Sequence, residues 1–174
     1  MRRIVARQTP GFSVEARTTR AAFRINKEVV GLSINSSRDG YYYVLTHTPD
    51  GLLFQYFPNL DAPSNQIVAG QSLTLPRSTR DARTGKVHAG IELTEPPGQA
   101  EVLVIVSKYP RDFSALGKRY EQKWQVFPTD ASAEALARQA GPAGLVYAGR
   151  PVCPPGEACV DEFGAALVEF AVTR

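Results

Sequence analysis

Turn-forming residues divide this chain into short apolar runs, and that spacing favours folds built mainly from β-strands. From residue 21 onward the runs are interrupted about every 8–12 residues by glycine, proline, asparagine or aspartate, as in sandwiches and barrels. The 14 glycines and 13 prolines also disfavour long helices. We therefore predict a mainly β fold, an antiparallel β-sandwich or barrel-like domain with one or two short helices. The predicted strands are Ala22–Asn26, Val29–Asn35, Tyr41–Thr48, Leu52–Phe57, Ser72–Pro76, His88–Thr94, Glu101–Ser107, Leu145–Ala148 and Ala165–Val172.

One pair of strands has a clear connecting turn. Pro49-Asp50-Gly51 separates Tyr41–Thr48 from Leu52–Phe57, and proline followed by glycine suits the backbone angles of a tight turn. Aromatic and β-branched residues fill both arms, as expected for strands. In the first arm, apolar side chains alternate onto both faces. We therefore expect this hairpin to lie centrally in a sheet that is covered on both sides.

The second half of the chain has a mixed pattern. Asp112–Gly117 predicts a short helical turn, and Arg119–Phe127 is compatible with either a helix or a strand. Thr129 or Asp130 is a suitable N-cap for a helix over Ala131–Ala140, which Gly141-Pro142 would end.

The positive charge is concentrated at the N-terminus. The formal net charge is +3; residues 1–20 hold five arginines and one glutamate, 5 − 1 = +4, so residues 21–174 sum to 3 − 4 = −1. We predict a flexible basic arm at 1–20 and a single β-rich domain at 21–174. A second basic run contains Arg77, Arg80, Arg83 and Lys86. It could bind an anion or a nucleic acid, but because the domain is nearly neutral we do not predict a nucleic-acid partner.

Composition fits an ordinary globular domain. The chain is 43% hydrophobic and 21% charged, and its longest aliphatic run is Val102–Val106, whereas a membrane span needs about 20 apolar residues. Met1 is the only methionine, compatible with a start codon added to an excised fragment. We therefore expect any export signal or membrane anchor to lie outside this chain.

The two cysteines are close in sequence. Cys153 and Cys159 flank Pro-Pro-Gly-Glu-Ala, a loop tight enough to bring the two Cβ atoms together. We predict a disulfide, which would place the protein in an oxidising compartment such as the periplasm. Two reduced thiols, and a cytoplasmic location, are the alternative. A metal site is disfavoured because the spacing is not that of zinc ligands and only His47 and His88 could complete it.

Motifs for catalysis are absent from the sequence. It contains no phosphate-binding glycine loop, nucleophile elbow, zinc-protease motif or dinucleotide fingerprint. We predict neither a catalytic residue, nor a cofactor, nor a bound metal. A small hydrolase using His47 or His88 is the alternative. The predicted binding residues are the aromatic and basic side chains Tyr41, Tyr43, Tyr56, Arg77, Arg80 and Arg83.

Three groups of residues resemble a bacterial family of domains of unknown function. They are Gly40–Leu45 with Asp50-Gly51 and Leu53–Asn59; Asn65–Gln71 with Leu75-Pro76; and Ile91–Leu93 with Pro96–Glu101 and Val106-Ser107. The likeness covers residues 21–117, and the extension 118–174 has no matching pattern. Members of that family are often attached to serine/threonine kinases, including kinases encoded with type VI secretion systems, and to caspase-like peptidases.

The resemblance implies a non-catalytic sensory or protein-interaction domain. It would be the extracytoplasmic part of a signalling protein such as a type VI secretion-associated kinase, and would bind a protein or a cell-envelope ligand. Membrane attachment would come only from an anchor outside this chain. The family offers no catalytic residues to carry over.

Overall fold

The computed structural model describes residues 1–75, 79–80, 87–88, 91–92, 96–129, 135–136 and 145–174. Among the described residues, the helical elements of three or more residues are α1 (Arg2–Val5) and two 3₁₀ turns, Ser114–Leu116 and Val146–Ala148. The strands are β1 (Val14–Thr18), β2 (Ala22–Arg24), β3 (Val29–Val30), β4 (Leu32–Ser36), β5 (Gly40–His47), β6 (Leu53–Phe57), β7 (Gln66–Ile67), β8 (Leu73–Leu75), β9 (Thr79–Arg80), β10 (Val87–His88), β11 (Ile91–Glu92), β12 (Gly98–Ser107), β13 (Arg111–Asp112), β14 (Arg119–Glu121), β15 (Trp124–Phe127), β16 (Arg150–Pro151) and β17 (Phe163–Thr173).

One eight-stranded sheet forms the centre of the molecule. Seven strands follow the order β14-β15-β6-β5-β12-β17-β2, and β7 pairs with one end of β5. All neighbours are antiparallel except β17 and β2, which run parallel. In the described residues the sheet ends at β14 and β2 and does not close into a barrel. The prediction of a mainly β, sandwich-like domain is therefore confirmed.

Apolar side chains cover both faces of the central sheet. On one face, the three-stranded sheet β1-β4-β8 packs through Val14, Leu32, Ile34 and Leu75 against Tyr42, Val44 and the even-numbered residues of β12. On the opposite face, α1 and the two 3₁₀ turns pack against Tyr43, Leu45, Leu103 and Ile105. The predicted hairpin is β5–β6, next to β12, and its expected burial on both faces is confirmed.

The prediction of a flexible arm over residues 1–20 is wrong. Strand β1 pairs with β4 over five residues, and Ile4 and Phe12 are only 3% and 1% exposed. The sequence intersperses these apolar residues among arginines, so the charges reach solvent while the apolar side chains enter the two core clusters. Arg2 Nη2 forms an ion pair of 2.6 Å with Glu169 on β17.

Two predicted strands have different structures. Val29–Asn35 is divided at Gly31 into β3, which pairs with β11, and β4, which belongs to the three-stranded sheet. Leu145–Ala148 forms a 3₁₀ turn instead of a strand. The carbonyls of Ala148 and Gly149 accept hydrogen bonds from a buried arginine side chain instead of a neighbouring strand.

The remaining predictions differ mainly in their bounds. Arg119–Phe127 is a β-hairpin, and Asp112–Gly117 contains the first 3₁₀ turn. Ser72–Pro76 becomes β8, and Ala165–Val172 lies within β17. Of the predicted strand His88–Thr94 and helix Ala131–Ala140, only His88, residues 91–92 and residues 135–136 are described. None of the helices in the described part of the chain has the length and apolar character that a bilayer crossing requires.

Candidate ligand-binding pocket

A row of polar side chains crosses one end of the central sheet. Gln55 on β6 is paired in register with Gln125 on β15, which in turn is paired with Tyr120 on the edge strand β14. Residues in register across neighbouring strands present their side chains to the same face. On the other side of Gln55 the row continues into Leu45, a residue of the apolar core. The sheet therefore changes from apolar to polar along a single row.

Both glutamine amides are fixed in orientation by backbone carbonyls. Gln55 Nε2 donates to Pro58 O at 2.8 Å, and Gln125 Nε2 donates to Gly117 O at 2.7 Å. Gln55 is only 8% exposed, and its Oε1 atom is buried without a hydrogen-bond partner. Leaving a buried acceptor unpaired costs about 1–3 kcal/mol. Gln55 Oε1 therefore lacks the hydrogen-bond donor that a buried acceptor normally has.

Strand β13 supplies the opposite wall. The backbone N–H of Arg111 donates to the Tyr43 hydroxyl at 2.7 Å. The Arg111 side chain has no exposed surface and forms an ion pair with Asp161. Its Nη1 donates to Ala148 O at 3.1 Å, its guanidinium lies 4.8 Å from the centre of the Phe163 ring, and its Nε is buried without a partner. These contacts fix the wall in place.

Between these walls lies a pocket of about 270 Å³. At its rim, Ser114 donates two hydrogen bonds to Asp112, through its hydroxyl at 2.6 Å and its backbone N–H at 2.8 Å. Those bonds lower the pKa of Asp112, and the positive charge of Lys118 acts in the same direction. The lining residues are Tyr43, Gln55, Pro58, Asn65, Arg111, Asp112, Phe113, Ser114, Lys118, Tyr120 and Gln125.

The disulfide loop supports the β13 wall from behind. Cys153 and Cys159 are bonded, with an S–S distance of 2.08 Å, as predicted. Strand β16, which directly precedes the loop, pairs with β13, and Val152 N donates to Pro110 O at 2.7 Å. Asp161, the partner of Arg111, lies two residues after Cys159. Both ends of the loop therefore contact the residues that form the wall.

The three predicted binding tyrosines do not form one site. Tyr43 lines the pocket and belongs to the core cluster on that face of the sheet, and the half-buried Tyr41 packs against this cluster. Tyr56 lies on the opposite face of the sheet, where its ring stacks on Trp124 at 5.9 Å between centroids. Arg77 and Arg83 lie outside the described residues. The backbone of Arg80 belongs to β9, and its side chain is not described.

Of the two histidines, His47 does not line the pocket. His47 ends β5, between Leu53 on β6 and Glu101 on β12, and it is not among the lining residues. The backbone of His88 belongs to β10, and its side chain is not described. Among the described residues, no group of three histidine, cysteine, aspartate or glutamate side chains could hold a metal ion.

Sequence reasoning missed the residues that define the pocket, above all Gln55, Gln125 and Arg111. A usable signal existed for two of them. Gln55 interrupts the apolar run Leu53–Phe57, and Gln125 lies inside Trp124–Phe127. A single polar residue within an otherwise apolar strand indicates a polar group that needs a partner. Nothing comparable marks Arg111, which is one of several scattered arginines.

The fold and this pocket define a mainly β domain of several sheets with a polar pocket at one end of its central sheet. The chain belongs to the family described as Domain of unknown function (DUF4384), which matches residues 22–110. The predicted membership of a family of unknown function is thus confirmed, and that description carries no activity. No curated protein and no solved structure matches the chain significantly.

Proposed function

We propose that this domain is a non-catalytic binding module whose pocket receives part of a protein or cell-envelope ligand. The observation that carries the proposal is the buried, unpaired Oε1 of Gln55 in a residue that lines the pocket. Native proteins pair most buried polar groups, and an exception needs an explanation. A ligand that donates a hydrogen bond to Gln55 supplies one.

The surroundings suit binding better than reaction chemistry. Arg111 is neutralised by Asp161, and Asp112 is occupied by two hydrogen bonds from Ser114. Among the described residues, no histidine or cysteine lines the pocket. The lining serine, Ser114, is hydrogen-bonded to Asp112, and because the pKa of Asp112 is lowered, this carboxylate is a weak general base. These features favour recognition over catalysis.

The disulfide and the resemblance support an extracytoplasmic location. A disulfide is typical of an oxidising compartment, which favours the periplasm or another extracytoplasmic site. The resemblance to kinase-associated domains favours the extracytoplasmic part of a signalling protein, such as a serine/threonine kinase associated with type VI secretion. Ligand binding at the pocket would then be the sensory event.

A pocket-filling substitution tests the proposal. Gln125→Trp puts a large ring into the half-buried end of the row, and Gln99→Trp makes the same change at an exposed position of β12. Both proteins and the wild type are immobilised and challenged with periplasmic extract. We expect the wild type and Gln99→Trp to retain the same ligand, chemically unaltered, and Gln125→Trp to lose it.

Three results would overturn the proposal. Retention by Gln125→Trp equal to the wild type would show that binding occurs elsewhere. Conversion of the retained ligand into a product would show that the domain is an enzyme. The absence of any retained ligand, with all three proteins folded by circular dichroism, would remove the basis for a binding function.

A further inference from the structure

The pocket offers unpaired donors and unpaired acceptors together. The acceptors are Oε1 of Gln55, which is buried without a partner, and Oε1 of the half-buried Gln125; in both amides the nitrogen donates to a backbone carbonyl. On the opposite wall, the Tyr43 oxygen accepts the Arg111 N–H, and its own hydrogen has no acceptor among the described residues. The Arg111 Nε–H is also unpaired, but its side chain has no exposed surface, so we assign it no contact with a ligand.

The charges of the pocket balance. Arg111 is paired with Asp161, and the remaining lining charges are Asp112 and Lys118, which influence each other electrostatically. An anionic ligand would gain from Lys118 and lose at Asp112, and a cationic ligand would do the reverse. The site therefore favours a neutral ligand over a charged one.

We propose that the pocket binds the neutral amide group of its ligand, as found in an acetamido sugar or a peptide. An amide carries an N–H donor for a glutamine oxygen and a carbonyl acceptor for the Tyr43 hydroxyl, so it matches both walls. Its planar shape and adjoining methyl or methylene group suit a pocket that also contains the rings of Phe113 and Tyr120. This inference rests on the proposed binding function and specifies its ligand class.

Nitrogen-15 NMR titrations test the amide group directly. The probes are N-acetylglucosamine and N-acetylglycinamide, with glucose as a neutral sugar that lacks the amide. We expect the amide probes to shift the side-chain signals of Gln55 and Gln125 and the backbone amide of Arg111. Binding of N-acetylglucosamine should be at least about tenfold tighter than that of glucose, the factor that about 1.4 kcal/mol provides.

A matched pair of variants connects the binding to Gln55. Gln55→Met keeps the length of the side chain and removes the amide, and Gln99→Met makes the same change on exposed β12. We expect Gln55→Met to lose about tenfold or more in affinity for the amide probes, while Gln99→Met binds like the wild type. Gln55→Met removes the unpaired buried oxygen and also the hydrogen bond to Pro58 O, so the melting temperature of each variant is measured, and the titrations are made well below it so that lost affinity does not reflect unfolding.

The outcomes separate the two proposals. Tighter binding of either amide probe supports the amide inference, and the stronger of the two identifies an acetamido sugar or a peptide as the source. Equal binding of glucose at the pocket would overturn the amide inference and leave the binding function intact. Failure of every probe to shift pocket signals would also overturn it, and retention from periplasmic extract would then decide the binding function separately.

Discussion

Arg111 carries a charge in a place that has no contact with water. Its side chain is completely buried, whereas its partner Asp161 is 43% exposed. Burial lowers the pKa of Arg111, and the negative charge of Asp161 opposes that shift. Because a guanidinium stays protonated in proteins, the fold keeps this charge by supplying Asp161 and the carbonyls of Ala148 and Gly149. The pocket wall therefore depends on an ion pair.

Removing the carboxylate of Asp161 should destabilise the protein. In Asp161→Asn the buried guanidinium loses its counter-charge, and we expect the free energy of unfolding to fall by about 2 kcal/mol. Asp61→Asn is the control, because Asp61 and Lys123 form an exposed pair 2.9 Å apart, for which the expected loss is below about 1 kcal/mol. Urea unfolding of both variants measures the difference. Equal effects would show that burial of Arg111 does not set its dependence on Asp161.

Tyr56 should make the protein sensitive to alkali. Burial raises the pKa of Tyr56 from its ordinary value of 10 to about 12, so the folded state holds the phenol proton more tightly than the unfolded chain. That stability is complete below pH 10 and is lost as the pH rises toward 12. At pH 11 the loss should be about 1.4 kcal/mol relative to pH 8. Urea unfolding at both pH values measures it, and Tyr56→Phe should lose that much less than the wild type.

At the scale of elements, local sequence was informative where turn chemistry and strand composition agreed. The β5–β6 hairpin was predictable because Gly51 takes a positive φ of 89° in its turn and aromatic residues fill both strands. The register within the hairpin was not predictable. A bulge between Val44 and Leu45 leaves Tyr56 unpaired and places Phe57 on the same face as Tyr56. Such an irregularity depends on packing against the three-stranded sheet β1-β4-β8.

The pocket was less predictable than the sheet, because it joins elements distant in sequence. Gln55 and Gln125 meet through the pairing of β6 with β15, and Arg111 reaches them through β13. These residues do not belong to a recognisable sequence motif. Their roles depend on which of their polar atoms have no hydrogen-bond partner, and only the folded structure shows this. Of the three predicted tyrosines, Tyr43 lines the pocket and Tyr41 and Tyr56 do not.

Opening the disulfide should loosen β13 more than the rest of the sheet. Loss of the bridge in the double variant Cys153→Ser, Cys159→Ser should lower the free energy of unfolding by about 2 kcal/mol on the chain-entropy model. Because β16 and Asp161 adjoin the loop, we expect faster hydrogen exchange at the Arg111 and Val152 amides, which bond to Tyr43 and Pro110. Exchange within β12 is the internal control. Unchanged exchange at Arg111 would show that the loop does not support the wall.

At the scale of the whole molecule, segments outside the family match complete the fold. Strand β17 lies between β12 and β2 and pairs with all ten residues of β12. Phe12 and β1 come from the N-terminal segment, and Phe12 packs so tightly on β17 that a Cβ at Gly164 would lie 2.5 Å from the Phe12 carbonyl oxygen. The matched residues 22–110 therefore share one core with both ends of the chain.

The isolated segment 22–110 should consequently fail to fold. Without β17 and β15, the strands β12 and β6 become open edges, and the core residues Val102, Val104 and Val106 lose the neighbouring strand β17. Such apolar edges favour aggregation over a stable monomer. We expect a poorly dispersed ¹⁵N–¹H spectrum for this segment and a dispersed spectrum for residues 1–174. Mixing the segment with a peptide of residues 160–174 should improve the dispersion in part, because that peptide restores β17. A well-dispersed spectrum from the segment alone would show that the family domain is autonomous and that the flanking segments were added to a complete core.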